Sequence, residues 1–199
     1  MTSNVFLNLL ACGLILSSPV HAAPWEKKGT QEKSDWKSYT STQNNYSVEF
    51  PSDPEHIEQV IEVPKTDLKI AYNTFISEPN EEAVYVVSVW DYPSQIDMSK
   101  PEVNLQDGFG GMLSALPGSE VQSMEITTIQ GYKALQFLVK NEDIYFQGML
   151  LLVNNTLYQV FTVYKDGQPE MKANYNRFID SFKLLDATKK DKKNKKIDV

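Results

Sequence analysis

The chain has 199 residues, of which 41% are hydrophobic and 23% are charged, and its formal net charge is −7. This length fits one domain with a sizeable core. The negative charge argues against a nucleic-acid-binding protein, because such proteins need surplus lysine and arginine to neutralise phosphates.

The amino-terminal residues have the pattern of a secretory signal peptide. An apolar run over residues 5–16 precedes a proline and several small residues, and it is too short to span a bilayer. Val20 and Ala22 occupy the −3 and −1 positions of a cut before Ala23. We therefore expect residues 1–22 to be removed and the protein to be secreted or periplasmic.

The only cysteine, Cys12, lies in this segment, where "LLAC" resembles a bacterial lipobox. The apolar run continues beyond Cys12 and little of it comes before, which favours an unmodified residue in a discarded peptide over a lipid-anchored protein. A mature chain without cysteine would have no disulfide, thiol nucleophile or thiolate metal site. No other segment is apolar enough to cross a membrane.

The two ends differ in character from the domain between them. Residues 23–37 form a polar leader in which only Trp25 and Trp36 could dock on the domain. Residues 38–186 form the predicted domain. Residues 187–199 contain six lysines and are predicted to be a disordered tail. That tail is a candidate contact for an anionic surface, and a solvated tail is the favoured alternative.

Alternating and apolar runs within the domain predict a series of β-strands. "YSVEF" places Tyr46, Val48 and Phe50 on one face, which is the period of a half-buried strand. The segments "NED" and "NN" join the last three runs through short turns, which indicates an antiparallel meander. The predicted strands are residues 46–50, 57–63, 67–76, 83–92, 120–129, 132–139, 144–153 and the run "TLYQVFTVY".

The segment after Ser99 has the apolar spacing of a helix that a Pro-Gly pair ends. Ser99 and Glu102 have capping-box spacing, in which a hydroxyl and a carboxylate bond to free amides of the first turn. Gly108, Gly110 and Gly111 each weaken this helix by up to about 1 kcal/mol relative to alanine. The apolar stripe consists of Leu105, Phe109, Met112 and Leu116.

A second helix is predicted to begin near Pro169. Met171, Tyr175, Phe178 and Phe182 follow at helical spacing, and "FKLL" then returns to the extended form.

Four of the predicted strands are apolar on both faces, so a sheet built from them needs a cover on each side. Exposing one face would cost several kcal/mol at roughly 25 cal/mol per Å² of apolar surface. One helix divides the strand series and the other ends it, so we expect one helix on each face. The sequence thus predicts the α+β class, as a three-layer α/β/α sandwich around a central antiparallel sheet.

Four segments carry a resemblance to a known family: "NNYSVEFPSDP", "GYKALQFLV", "GMLLLVNNTLYQVFTVY" and "FIDSFKLL". Over residues 38–186 the chain resembles the PsbP-like superfamily, whose fold is an antiparallel sheet between helices. The resemblance implies an accessory protein that binds another macromolecule, usually without catalysis, and it implies no site residue. A tryptophan that is frequent after the first proline in relatives is absent here, where "PSDPEHIEQ" stands.

His56 is the only histidine beyond the predicted signal peptide. A Ser-His-Asp device holds a histidine against a serine and an orienting carboxylate, and a structural zinc site needs about four ligands. Because no such set accompanies His56 in the sequence, we expect a solvated loop residue. We predict no catalytic, cofactor-binding or metal-binding residue and no cofactor.

Three carboxylate pairs in predicted turns are candidates for acid-base hydrolysis or for calcium binding. None has the spacing of an EF-hand loop, and charge in turns usually keeps loops solvated. The pairs are Asp53 and Glu55, Glu81 and Glu82, and Glu142 and Asp143.

Two further motifs have ordinary structural explanations. "GFGG" lacks the lysine and hydroxyl of a phosphate-binding loop and lies inside a predicted helix, which favours close packing of helix on sheet. Asn154 begins an Asn-x-Thr sequon, which a tight turn also explains.

The favoured function is a secreted or periplasmic, non-enzymatic domain that binds a partner protein or an envelope component. The first alternative is a carrier of a small molecule or lipid, with a pocket between the sheet and the first helix where three glycines leave room. A carboxylate-based hydrolase ranks last.

Overall fold

The computed structural model describes residues 36–63, 66–166 and 170–185, which contain ten strands and two helices. Cys12, the predicted signal peptide, most of the leader, Pro169 and the lysine-rich tail lie outside the described residues. The strands are β1 (Lys37–Ser41), β2 (Tyr46–Phe50), β3 (Glu55–Glu62), β4 (Lys69–Asn80), β5 (Ala83–Asp91), β6 (Glu120–Ile129), β7 (Tyr132–Asn141), β8 (Ile144–Val153), β9 (Thr156–Lys165) and β10 (Lys183–Leu184). The helices are α1 (Pro101–Ser114) and α2 (Met171–Ser181).

Seven strands form a central antiparallel sheet in the order β3-β4-β5-β9-β8-β7-β6. The predicted meander is confirmed, because β7 pairs with β8 and β8 pairs with β9. Gln130, Glu142 and Asn154 have φ values of 50°, 56° and 53° in the two-residue connections of β6 to β9. Positive φ matches the twist of the flanking strands in such hairpins.

A second sheet, in the order β1-β2-β10, packs on one face of the central sheet. We call this side the closed face, because α2 and the second sheet cover it together. Phe178 of α2 contacts the rings of Phe50 and Tyr85 at centroid distances of 5.5 and 5.3 Å. Trp36 packs edge-on against Tyr85 at 5.4 Å, and the Arg177 guanidinium lies 4.9 Å from the Trp36 ring centroid. One tryptophan at the edge of the predicted leader therefore docks on the domain.

The opposite side of the central sheet, which we call the cavity face, carries α1. The helix lies over β7 and β8, with Leu105 and Phe109 buried against the sheet. Phe109 contacts Phe137 of β7 at a ring-centroid distance of 5.3 Å. An exposed ion pair of 2.7 Å between Glu102 and Lys133 also joins α1 to β7.

The central antiparallel sheet and both helices are confirmed. The buried residues of the two helices pack on opposite faces of that sheet. A three-layer α/β/α description is not confirmed, because the closed face is covered by strands as well as a helix and the protein is mostly sheet. β1 was not predicted at all. β1 is as short as β2 but is mostly polar and exposed, so it lacks the apolar alternation from which β2 was predicted.

The predicted capping box is wrong. α1 begins after Lys100, and none of the described side chains caps its first turn. The Ser99 amide instead bonds to the Asp97 carboxylate at 2.9 Å, and Glu102 pairs with Lys133. Pro101 at the helix start needs no amide partner, which lowers the demand for a cap.

Candidate ligand site between the central sheet and helix α1

A cavity of about 480 Å³ lies between the central sheet and α1. Strands β4, β5, β8 and β9 contribute its floor, and α1 and residues 92–98 contribute its walls. The volume falls within the range of roughly 300–1,000 Å³ that is usual for small-molecule sites.

The floor carries polar side chains in the middle of an otherwise apolar sheet. Ser88 of β5 lies opposite Thr74 of β4 on one side and Gln159 of β9 on the other. The Thr74 and Ser88 hydroxyl groups share a hydrogen bond of 3.1 Å. The half-buried side-chain amide of Gln159 lines the cavity and has no hydrogen-bond partner within the described part of the chain. It therefore offers both donors and an acceptor to a ligand.

Aromatic side chains form the part of the cavity above β4 and β5. Tyr72 and Trp90 are opposite each other on these strands, with ring centroids 4.2 Å apart. The Trp90 Nε1–H is buried without a hydrogen-bond partner among residues 36–63, 66–166 and 170–185, and such a donor costs roughly 1–3 kcal/mol. Burial raises the pKa of the Tyr92 hydroxyl, so this group remains a hydrogen-bond donor at neutral pH.

Hydrogen bonds hold the connection between β5 and α1 against the β8–β9 turn. The Tyr92 amide donates to the Asn155 carbonyl at 2.9 Å. The Asn155 side-chain amide donates to the carbonyls of Pro93 and Ile96 at 3.4 and 3.5 Å. This network positions the Ile96 and Met98 side chains, which line the cavity.

Two glycines of α1 line the cavity and differ in their surroundings. A Cβ at Gly108 would lie 3.3 Å from the Leu157 side chain, so this glycine lets the helix approach the sheet. Gly111 is exposed, and a Cβ there would meet no described atom within 4 Å. Two of the three glycines that the carrier hypothesis placed beside a pocket, Gly108 and Gly111, line the cavity. Gly110 also has open space around it but does not line the cavity.

The rim of the cavity carries one carboxylate, that of Asp107. Asn104 and Asp107 line it from α1, and the Asn104 side-chain amide donates to the Asp97 carbonyl at 3.3 Å. Hydrogen bonds from Ser99 lower the pKa of the Asp97 carboxyl, which is therefore ionised at neutral pH. Among the described residues, no lysine, arginine or histidine lines the cavity. The local potential therefore favours cations over anions.

His56 lies in strand β3 and not in a loop, which corrects the predicted location. It is exposed, as predicted, on the edge of the central sheet. Its ring stacks on Phe75 at a centroid distance of 4.3 Å, and its Nε2 lies 2.9 Å from the Asn73 Oδ1. These contacts give His56 a packing role away from the cavity.

The three carboxylate pairs lie at separate turns or strand ends, and the fold does not bring them together at the cavity. Asp53 pairs with Lys37 at 2.7 Å, and both side chains are exposed. Over the parts of the chain that the structure describes, no group of three or more His, Cys, Asp or Glu residues could hold a metal ion.

Both remaining motifs lie where the sequence placed them. "GFGG" is inside α1, as predicted, and Gly108 provides the close approach to the sheet. Asn154 is exposed in the β8–β9 turn with φ of 53°, and the Thr156 hydroxyl of the sequon donates to the Asp91 carboxylate at 2.6 Å. The turn accounts for this asparagine, because asparagine tolerates positive φ.

The polar floor was missed in the sequence, although a signal for it exists. Ser88 and Gln159 interrupt two runs, "VVSVW" and "LYQVF", that are otherwise apolar or aromatic. A polar residue in such a strand marks a place where packing is incomplete or where a partner group is needed. Their alignment across β5 and β9 becomes visible only with the strand register.

The fold is similar to that of a solved cyanobacterial protein. The solution structure of cyanobacterial PsbP (CyanoP) from Synechocystis sp. PCC 6803 is 14% identical, and the match covers 82% of this chain and 100% of that chain with a TM-score of 0.52. This likeness shows that the chain has a PsbP-like fold, which confirms the fold implied by the sequence resemblance.

A second solved structure is less similar. The crystal structure of PA94, a protein of unknown function from Pseudomonas aeruginosa, is 17% identical, covers 59% of this chain and 89% of that chain, and has a TM-score of 0.41. A likeness at this level supports no inference. No family profile matches the chain, and no curated protein sequence matches it. Among the described residues, neither helix has the length and apolar character needed to cross a bilayer.

Proposed function

We propose that this protein is an exported, non-enzymatic binding protein whose ligand site is the cavity between the central sheet and α1. The observation that supports this proposal most directly is the polar floor, where Ser88 and Gln159 face a cavity of about 480 Å³. A mostly apolar pocket with a few convergent polar groups is the usual form of a small-molecule site. The signal-peptide pattern of residues 1–22 supports export.

The geometry of the floor supports binding over simple imperfect packing. The Gln159 amide lies in a central strand, and no described residue forms a hydrogen bond with it. The amide is half-buried and accessible from the cavity, so it can bond to water when no ligand is present. A ligand that enters the cavity can replace that water and bond to the amide, which would fix the orientation of the ligand on the floor.

The test compares two substitutions in α1 that differ only in their position relative to the cavity. Both glycines are exposed, but Gly111 lines the cavity and Gly110 does not. Gly111→Leu therefore adds a side chain at the cavity lining, and Gly110→Leu adds the same side chain outside it. Both replace glycine by leucine in a helix, so both gain similar helix propensity. The probe is N-phenyl-1-naphthylamine, a neutral apolar fluorophore that brightens when it leaves water.

We expect saturable binding of one probe molecule by the wild type and by Gly110→Leu, and at least about tenfold weaker binding by Gly111→Leu, which corresponds to roughly 1.4 kcal/mol. Circular dichroism would verify that both variants are folded. Absence of saturable binding, or equal binding by the two variants, would reject the cavity as the ligand site.

A second candidate is an accessory protein that binds an extended segment of a partner protein. The observation that favours it is the edge strand β6, where Val121 and Met124 are 46% and 47% exposed. An open edge can pair with a further strand, and exposed apolar side chains then add specificity. Met124→Lys should abolish co-purification of a stoichiometric partner and leave probe binding in the cavity unchanged; retained co-purification would exclude β6 as the docking edge.

A further inference from the structure

The walls and rim of the cavity narrow the chemical class of its ligand. Resting on the proposed function of this cavity, we infer that the ligand is a flat, ring-containing, largely apolar molecule that has one hydrogen-bonding edge and no negative charge. The inference combines three independent features: the aromatic walls, the Gln159 amide on the floor and the Asp107 carboxylate at the rim.

The aromatic walls favour a flat ring system. Tyr72 and Trp90 form a pair with centroids 4.2 Å apart and an interplanar angle of 41°, and Phe146 and Phe161 line the cavity from β8 and β9. Aromatic rings gain most from offset or edge-to-face contact with other rings. Met98 and Met112 complete the lining with flexible thioethers, which adapt to ring edges.

The floor favours a ligand with a single polar edge. Gln159 presents an amide oxygen and an amide NH₂ that bond to no other described residue, and the neighbouring Ser88 hydroxyl is already bonded to Thr74. One amide can satisfy a donor or an acceptor on the ligand, or one of each. Polar groups of a ligand that face the aromatic and aliphatic lining instead of this amide would lose hydrogen bonds to water without replacing them.

The rim disfavours an anion. Asp107 lines the cavity. Asp97 and Lys100 carry opposite charges that interact with each other, and both lie outside the cavity lining. An anionic ligand would therefore leave water for a site with negative charge at its mouth and no basic side chain in its described lining. This charge pattern opposes carboxylate and phosphate ligands, including fatty acids.

The experiment compares two fluorophores that share one ring skeleton. N-phenyl-1-naphthylamine is neutral and has one N–H donor, and 8-anilinonaphthalene-1-sulfonate adds a single sulfonate. Only the fluorescence that is lost in Gly111→Leu is attributed to binding in the cavity. Titrations at low and high ionic strength, with the wild type and with Asp107→Asn, separate the effect of the sulfonate's charge from that of its bulk.

We expect the neutral probe to bind at least about fivefold more tightly than the sulfonate, and Asp107→Asn to narrow this ratio about two- to threefold at low salt. Asp107 is exposed, so the substitution should leave folding unchanged, which thermal unfolding would verify. Cavity binding of the sulfonate that equals or exceeds that of the neutral probe would overturn the inference and leave the proposed function standing.

Two other results have separate meanings. A preference for the neutral probe that neither salt nor Asp107→Asn alters would overturn the charge argument, because bulk alone would then explain it. If neither probe gives a signal sensitive to Gly111→Leu, the proposed function itself fails, and the inference fails with it.

Discussion

The two faces of the central sheet are built from the same strands and are covered to different extents. On β5, Tyr85, Val87 and Val89 point to the closed face and are buried beneath α2 and the second sheet. The alternate positions point to the cavity face, where apolar Val86 gives way to Ser88. The same strand is therefore packed on one side and borders a cavity on the other.

The widths of the covering elements explain this difference. A helix with its side chains is about 10 Å wide, and neighbouring strands are about 4.8 Å apart, so a single helix covers about two strands. α1 accordingly lies over β7 and β8 and leaves β4, β5 and β9 partly uncovered. The closed face has three additional strands besides α2 and is covered more completely.

The largest expected effect is a difference in stability between two methionine truncations, one on each face of the central sheet. Met171→Ala on the closed face removes a buried side chain and should destabilise the protein by about 2–5 kcal/mol, the range for such truncations. Met112→Ala at the half-buried cavity wall should cost about 1 kcal/mol, because its site already borders open space. Urea unfolding of both variants measures the difference, and equal losses would show that the two faces are packed alike.

A smaller effect distinguishes two glycines on the cavity face. A Cβ at Gly148 would collide with the Phe161 side chain and the Val160 carbonyl, so Gly148→Ala should destabilise by about 1–3 kcal/mol. Gly111→Ala places its methyl group in open space and should stabilise by up to about 1 kcal/mol through helix propensity. Thermal unfolding gives both values, and a loss of stability in Gly111→Ala would mean that the space beside α1 is smaller than described.

The smallest effect concerns alkaline pH and the closed face. Burial raises the pKa of Tyr85 to about 12, against about 10 in an unfolded chain. The unfolded state therefore loses its proton first as the pH rises. Below pH 10 this tyrosine should leave the free energy of unfolding unchanged. Between about pH 10 and 12 the free energy of unfolding should fall by up to about 1.4 kcal/mol per pH unit for each such tyrosine.

Tyr85→Phe should make this fall shallower in urea unfolding measured from pH 8 to 11. Val87→Ala, which weakens the same face without removing a titrating group, is the control and should lower stability equally at every pH. An unchanged pH profile in Tyr85→Phe would mean that this hydroxyl is less buried than the packing of the closed face requires.

The sequence by itself determined the features that depend on neighbouring residues. Tyr46, Val48 and Phe50 alternate as a strand requires, and α1 carries its stripe from Leu105 to Leu116. The short connections of the meander follow from residues that tolerate tight turns, such as Asn154. These signals are local because strand period, helix period and turn geometry each involve only a few consecutive residues.

Only the tertiary structure decided the features that depend on distant partners. Leu184 pairs with Tyr46 to complete the second sheet, and Ser88 meets Gln159 through the pairing of β5 with β9. No local period encodes such a pairing, since it depends on the register of strands that are far apart in the chain. The cavity depends further on how little of the sheet one helix covers, which is set by the dimensions of the packed elements and by the glycines of α1.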